Sequence, residues 1–261
     1  MITSTGNHQV KNIQKLFKSG KTRREQQIYI VEGIKMFLEA EKLGIVKKAY
    51  FSEELFEQWS TEKPELLARI DYETVAYKVF KEITETMNPQ GVIALVHYHE
   101  TSLEDILAQA ESRLLLLDNL RDPGNLGTIV RTAEGAGITG IILSKESVDI
   151  YNPKVVRATM GSVFRMPHVY VDDFQSALKM VKKRGVKLYA THLSGKEFYD
   201  ETTYAAKFGI IIGNEANGIS DASAAEADCL VKIPMCGKVE SLNAAVASSI
   251  MIYEAFRQRR R

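Results

Sequence analysis

A chain of 261 residues is long enough for one large domain or two smaller ones, and its 45% hydrophobic and 26% charged residues are the balance of an ordinary globular protein. No apolar run approaches the ~20 residues that span a bilayer, the leading Met-Ile-Thr-Ser-Thr-Gly lacks a signal peptide's apolar core, and two cysteines make neither a disulfide framework nor a metal site. Membrane, secreted and metal-centred classes are set aside, and a reduced, cytoplasmic setting with no membrane and no metal is expected.

The net charge of +1 conceals basic ends. Up to Arg24 the chain carries Lys11, Lys15, Lys18, Lys21, Arg23 and Arg24 and no acid, and it finishes with Arg257, Arg259, Arg260 and Arg261. Such ends suit a polyanion such as nucleic acid, although either end alone is equally a solubilising tail.

Val10, Ile13, Leu16 and Phe17 have helical spacing and predict a basic amphipathic helix from His8 to about Ser19, ended by Gly20. Ile28 to Val31 reads as a short strand. Glu32-Gly33 then turns into a helix through Met36, Phe37, Ala40 and Leu43, closed by Gly44. Lys47 to Ser52 predicts a strand, Glu53 to Trp59 a helix, Asn88-Pro89-Gln90-Gly91 a turn and Val92 to Tyr98 a strand. This alternation predicts a first α/β domain over residues 1–99. The boundary falls in His97-Tyr98-His99-Glu100-Thr101, whose histidines have no carboxylate or thiol cluster nearby and read as linker residues. Ser102 with Asp105 resembles a capping box and predicts a linker helix over 100–112.

The second domain, 113–261, opens with Leu114 to Leu117, a strand buried on both faces because its apolar residues do not alternate. Further strands are expected at Gly140 to Leu143, His168 to Val171, Lys187 to Thr191, Gly209 to Ile212 and Cys229 to Ile233. Helices are expected from Leu126 to about Ala136, Pro153 to Thr159, Asp173 to Arg184 and Ser241 to Arg257, with Ser241 as the last one's N-cap. The fold class is α/β: a small N-terminal α/β domain followed by a parallel sheet covered on both faces.

Gly135-Ala136-Gly137-Ile138-Thr139-Gly140 matches G-x-G-x-x-G literally, but it follows a helix and opens a strand, the reverse of a dinucleotide site. No complete phosphate-binding G-x-x-x-x-G-K-[ST] loop occurs. Three polar loops remain, each after an apolar strand. Asp118 to Asn125 leads to Arg131, about 1.7 helical turns beyond Asn125. Gly213-Asn214-Glu215-Ala216-Asn217-Gly218 follows Ile210-Ile211-Ile212. Ile233-Pro234-Met235-Cys236-Gly237 leads to Ser241-Leu242-Asn243. Taken singly, Asn125 also fits an N-cap, Arg131 a surface cation and the second loop an Asn/Gly turn.

In this order the three loops resemble the signature motifs of the SpoU (TrmH-like) class of RNA ribose 2′-O-methyltransferases. The resemblance covers the whole second domain. Ile30-Val31-Glu32-Gly33 and Asn88-Pro89-Gln90-Gly91 resemble the substrate-binding domain that many members carry. It implies a C-terminal trefoil knot, S-adenosylmethionine as cofactor and a homodimer. By matching positions it implies Asn125, Arg131, Glu215, Ser241 and Asn243 as catalytic residues and Gly213, Ile233, Met235 and Leu242 as cofactor contacts, with Thr191 at the end of a neighbouring strand beside them. Arg131 is expected to bind the phosphate or polarise the hydroxyl, since a free guanidinium pKa of ~12.5 makes a poor base. Lys11, Lys15, Lys18, Arg23 and Arg24 are the expected RNA contacts, with ribosomal RNA preferred. The alternatives are a tRNA 2′-O-methyltransferase, a related class that methylates a base, and a non-catalytic RNA-binding or ribosome-assembly factor.

Overall fold

The computed structural model describes residues 1–99 and 101–260. Glu100, inside the expected boundary, and Arg261, in the basic C-terminus, lie outside the described residues.

The chain forms two compact units. In the first, α1 (His8–Lys18) buries the four residues whose spacing predicted it, Val10, Ile13, Leu16 and Phe17. Gly20 does not end a helix as expected: Ser19 caps both sides of a break, and α2 (Gly20–Gln26) begins at the glycine. The Ser19 hydroxyl accepts from the Thr22 N–H at 3.1 Å, so serine's N-cap chemistry decides the local path. There follow β1 (Ile28–Glu32), α3 (Ile34–Lys42), β2 (Val46–Ser52), α4 (Glu53–Glu62), α5 (Pro64–Leu67), β3 (Tyr72–Val75), α6 (Tyr77–Ile83) and β4 (Val92–His97). Strand order is β1-β4-β2-β3, with β2 and β3 parallel and the other pairs antiparallel.

The second unit opens with α7 (Leu103–Leu107), shorter than the expected linker helix but started by a complete Ser102–Asp105 capping box. It continues through β5 (Arg113–Leu117), α8 (Pro123–Gly135) and β6 (Gly140–Ser144). Residues Tyr151–Gly161, carrying α9 (Pro153–Thr159), pack in the first unit. There Tyr151 stacks against Tyr29 and Tyr98 at centroid distances of 4.4 and 3.9 Å. The expectation of one unbroken block over 113–261 does not describe this excursion.

The second unit resumes with β7 (His168–Val171), α10 (Phe174–Lys183), β8 (Lys187–Thr191), β9 (Glu197–Phe198), β10 (Phe208–Ile212), α11 (Asp221–Glu226), β11 (Cys229–Lys232) and α12 (Ala244–Arg259). These strands form one parallel sheet ordered β7-β6-β5-β10-β8-β11-β9. Leu114 to Leu117 and Ile210 to Ile211 are fully buried, as strands covered on both faces must be. The order matters for the site. The chain lays down β5, β6 and β7 outward, starts again at β8, and returns β10 between β5 and β8. Open α/β sheets bind ligands at the carboxyl ends of strands where the order reverses in this way. No helix among the described residues is long and apolar enough to cross a membrane.

Candidate active site

Three strand-end loops, after β8, β10 and β11, enclose a cavity of about 830 Å³. Its lining includes Thr191, Gly213, Ile233, Met235 and Leu242, all five expected cofactor contacts, together with Glu215 and Ser241. A second cavity of about 510 Å³ lies between the N-terminal turns of α8 and α12 and is lined by Asn125 and Asn243.

The loop after β10 is a tight turn closed by reciprocal backbone bonds between Asn214 and Gly218, 2.8 and 2.9 Å long. Gly218 closes it at a φ of +68°, which glycine adopts without strain. Gly213 is buried, and a Cβ there would overlap the Gly218 carbonyl and the Ile219 nitrogen. The turn therefore projects Glu215 across to the loop after β5. One Glu215 carboxylate oxygen accepts from the Asp122 N–H at 3.0 Å and from Asn125 Nδ2 at 2.9 Å, and the other accepts from the Arg121 N–H at 3.2 Å. Asn214 Nδ2 donates to the Asn119 carbonyl at 2.9 Å, so both Asn214 and Glu215 tie the two loops together.

Asn125 passes the network on. Its Oδ1 accepts from Asn243 Nδ2 at 2.8 Å, and Asn243 Oδ1 accepts from the Ala245 and Val246 N–H groups at the start of α12. The Asn243 side chain is thus the N-cap of α12, not Ser241, which lies in the exposed loop two residues earlier. Both residue types cap helices well. The bond to Asn125 accompanies the choice of Asn243. Likewise Asp122, not Asn125, caps α8, its carboxylate accepting the Asn125 N–H at 2.7 Å. Glu215, Asn125 and Asn243 form a continuous hydrogen-bonded line from the larger cavity to the smaller.

Burial pushes the Glu215 carboxyl up, but the bonds from Asn125 and from backbone N–H groups outweigh it and hold the group below the ordinary carboxylate range. A carboxylate lowered in the folded state adds stability above its unfolded value and loses it as pH falls through the folded value. The melting temperature of the wild type is therefore expected to exceed that of Glu215→Gln at neutral pH, and the gap should close on acidification through the carboxylate range. A gap constant from pH 7 to pH 3 would contradict the assignment.

Arg131 is exposed on α8 and lines neither cavity. It lies three residues beyond Thr128 and seven beyond Gly124, and both of those line the smaller cavity, so the three share one helical stripe. A single chain brings Asn125, Glu215 and Asn243 together, places Ser241 on the larger cavity, and leaves Arg131 facing outward.

Residues 112–253 match the family model described as the SpoU rRNA Methylase family. The chain belongs to the SpoU rRNA methylase family. Residues 7–94 match a second model, the MRM3-like substrate binding domain. Over 254 residues the chain is 34% identical to the 23S rRNA (guanosine(2553)-2′-O)-methyltransferase RlmP of Bacillus subtilis (strain 168), covering 97% of each protein. The crystal structure of an AdoMet-bound rRNA methyltransferase from Sinorhizobium meliloti superposes with a TM-score of 0.87 at 37% identity, over 98% of this chain and 97% of that one. The SpoU methyltransferase AviRb from Streptomyces viridochromogenes, crystallised with AdoMet, gives 0.85 at 30% identity, over 97% and 99%.

In this SpoU chain the expected RNA contacts divide. Lys11, Lys15, Lys18 and Arg24 are exposed, but Arg23 is only 3% exposed and its guanidinium donates to the Leu16 and Phe17 carbonyls at 2.6 and 3.2 Å. Arg23 is corrected to a structural residue: it satisfies carbonyls in the last turn of α1 that have no partner within the helix. Arg23→Met is expected to cost about 2 kcal/mol in urea unfolding, the penalty for orphaned buried acceptors. Lys15→Ala should leave stability within about 0.5 kcal/mol. Equal stability of the two variants would contradict the correction. Sequence reasoning assigned no role to Asp118, whose Oδ2 accepts from the Ser220 and Ser223 hydroxyls at 2.7 Å, since a lone Asp after a strand gives no signal of partners 102 and 105 residues away.

Proposed function

We propose that this protein transfers a methyl group from S-adenosylmethionine to a ribose 2′-hydroxyl of structured RNA, in the first place ribosomal RNA. The observation that carries the reading is the cavity at the ends of β8, β10 and β11, whose lining contains every position matching the family's cofactor contacts. Its volume of about 830 Å³ falls in the range of small-molecule sites. Its walls combine loop backbone with apolar groups such as Ile212, Ile219 and Ala247, which suit an adenosyl group. Thr191, Gly213, Ile233, Met235 and Leu242 would hold the cofactor. When bound, S-adenosylmethionine supplies a methyl group made electrophilic by a positive sulfonium.

The chain's own part is alignment, which can lower a bimolecular barrier greatly. Glu215, Asn125 and Asn243 fix one another and the starts of α8 and α12, with Ser241 beside them on the cavity wall. Arg131 binds the phosphate or polarises the 2′-hydroxyl. Its outward position supports a homodimer in which it serves the partner's site. Val246 and Tyr253 of α12, 48% and 49% exposed, extend the same face with Ile250 and suit a self-complementary contact. The knot implied by the resemblance belongs to this reading, as do the division into a substrate domain, a linker and a catalytic domain and a cytoplasmic setting.

The exposed Lys11, Lys15, Lys18 and Arg24 would hold RNA through its phosphates. The relative from Bacillus subtilis is named for 23S rRNA and the neighbour from Sinorhizobium meliloti for rRNA, which favours ribosomal over transfer RNA. The test is incubation of purified protein with methyl-labelled S-adenosylmethionine and undermethylated ribosomal RNA, followed by nucleoside mass spectrometry. A 2′-O-methylnucleoside is expected. Label on a base, or cofactor binding with no transfer to any RNA, would overturn the reading.

A further inference from the structure

His192, directly after β8, is among the residues that line the larger cavity, and none of the three motifs includes it. Its backbone N–H is fixed to the Val231 carbonyl at 3.0 Å and its carbonyl accepts the Gly195 N–H at 3.0 Å, so the ring stands on a closed turn. Within that turn the Ser194 backbone N–H points at His192 Nδ1 at 3.2 Å, and the Ser194 hydroxyl lies 2.6 Å from the same nitrogen. A backbone N–H can only donate. With Nδ1 accepting from that N–H, the proton of a neutral ring sits on Nε2. The turn engages Nδ1, and in that tautomer Nε2 is a donor.

We propose that His192 is a cofactor-binding residue: held as the Nε2–H tautomer by Ser194, it donates a hydrogen bond to an acceptor atom of the S-adenosylmethionine in this cavity. The inference rests on the proposed cofactor reading. The neutral form suits the ligand, because an imidazolium would add a positive charge beside the sulfonium, whereas the neutral N–H gives direction without that repulsion. Ser194 acts as a positioning residue through the ring. A turn built only for shape would not need histidine, since asparagine or aspartate accepts the same N–H two residues on.

Long-range ¹H–¹⁵N correlation spectra of the wild-type protein, with His192 assigned by comparison with His192→Gln, test the tautomer directly. The Nε2–H pattern is expected, with the Nε2 resonance shifting on saturation with S-adenosylhomocysteine. Calorimetry with S-adenosylmethionine should show Kd raised about tenfold in His192→Ala, the effect of one lost hydrogen bond, and partly restored in His192→Gln. In transfer assays the KM for the cofactor should rise while kcat at saturation holds. An Nδ1–H ring, an Nε2 resonance indifferent to the ligand, or His192→Ala binding within twofold of wild type would each overturn the His192 inference alone. A wild-type protein that does not bind S-adenosylmethionine would overturn it together with the cofactor reading.

Discussion

Replacing Arg131 with alanine is expected to lower methyl transfer about a thousandfold, within the range for removing a group that assists proton transfer or charge development. S-adenosylmethionine affinity and melting temperature should stay those of the wild type. The two halves follow from different observations. Arg131 is exposed and lines neither cavity, so its removal disturbs no packing and stability should move by less than about 0.5 kcal/mol. Yet it continues the helical stripe of Gly124 and Thr128, which border the cavity shared by Asn125 and Asn243. In the proposed reading a cation so placed acts on a substrate spanning two chains or on a phosphate lying over that face. Mixing Arg131→Ala with a cofactor-binding variant such as Gly213→Ala therefore gives a sharper result. If the arginine serves the partner's site, mixed dimers recover activity that neither variant has alone. Transfer by Arg131→Ala within tenfold of wild type would remove the arginine from the mechanism.

Gly213→Ala is expected to abolish measurable cofactor binding and to destabilise the protein by about 3 kcal/mol, the upper end of ordinary overpacking. The atoms an added Cβ would meet are the Gly218 carbonyl carbon and oxygen and the Ile219 nitrogen. All are backbone, so no side chain can swing away. Opening the turn would break the Asn214–Gly218 pair and shift Glu215, which holds Arg121, Asp122 and Asn125. Gly237→Ala is the control: it lies in the loop after β11, and a Cβ there meets nothing within 4 Å. Its stability should match the wild type. Denaturant unfolding and calorimetry on the pair distinguish a packing clash from a general intolerance of alanine, and Gly213→Ala binding cofactor normally would contradict the account of the loop.

The sequence carried the second sheet well because its central strands are buried on both faces. Leu114 to Leu117 and Ile210 to Ile212 had no alternation to misread, and their polar successors marked the loops. The shorter pieces were illegible. β3 mixes Tyr72, Glu73 and Thr74 with a single fully buried residue, Val75, and exists because it pairs with β2. β9 is two residues long and, among the described residues, pairs only with β11. At the site, polar residue types at fixed spacing located the cavity walls but not the bonds across them. Ser241 and Asn243 are both good caps two residues apart, and the bond to Asn125, 118 residues away, belongs to Asn243. Arg23 shows the opposite limit. Charge counted along a chain treats every cation as solvent-facing, and only the fold reveals that this one is turned inward to the end of α1.

The most direct measurement is a transcriptome-wide map of ribose methylation, made on RNA from cells with and without this protein and from cells carrying Arg131→Ala. The account predicts that one or a few 2′-O-methyl positions in ribosomal RNA vanish in the deletion, stay absent with Arg131→Ala and return with the wild type. Identical maps in all three strains, or a loss confined to methylated bases, would contradict it.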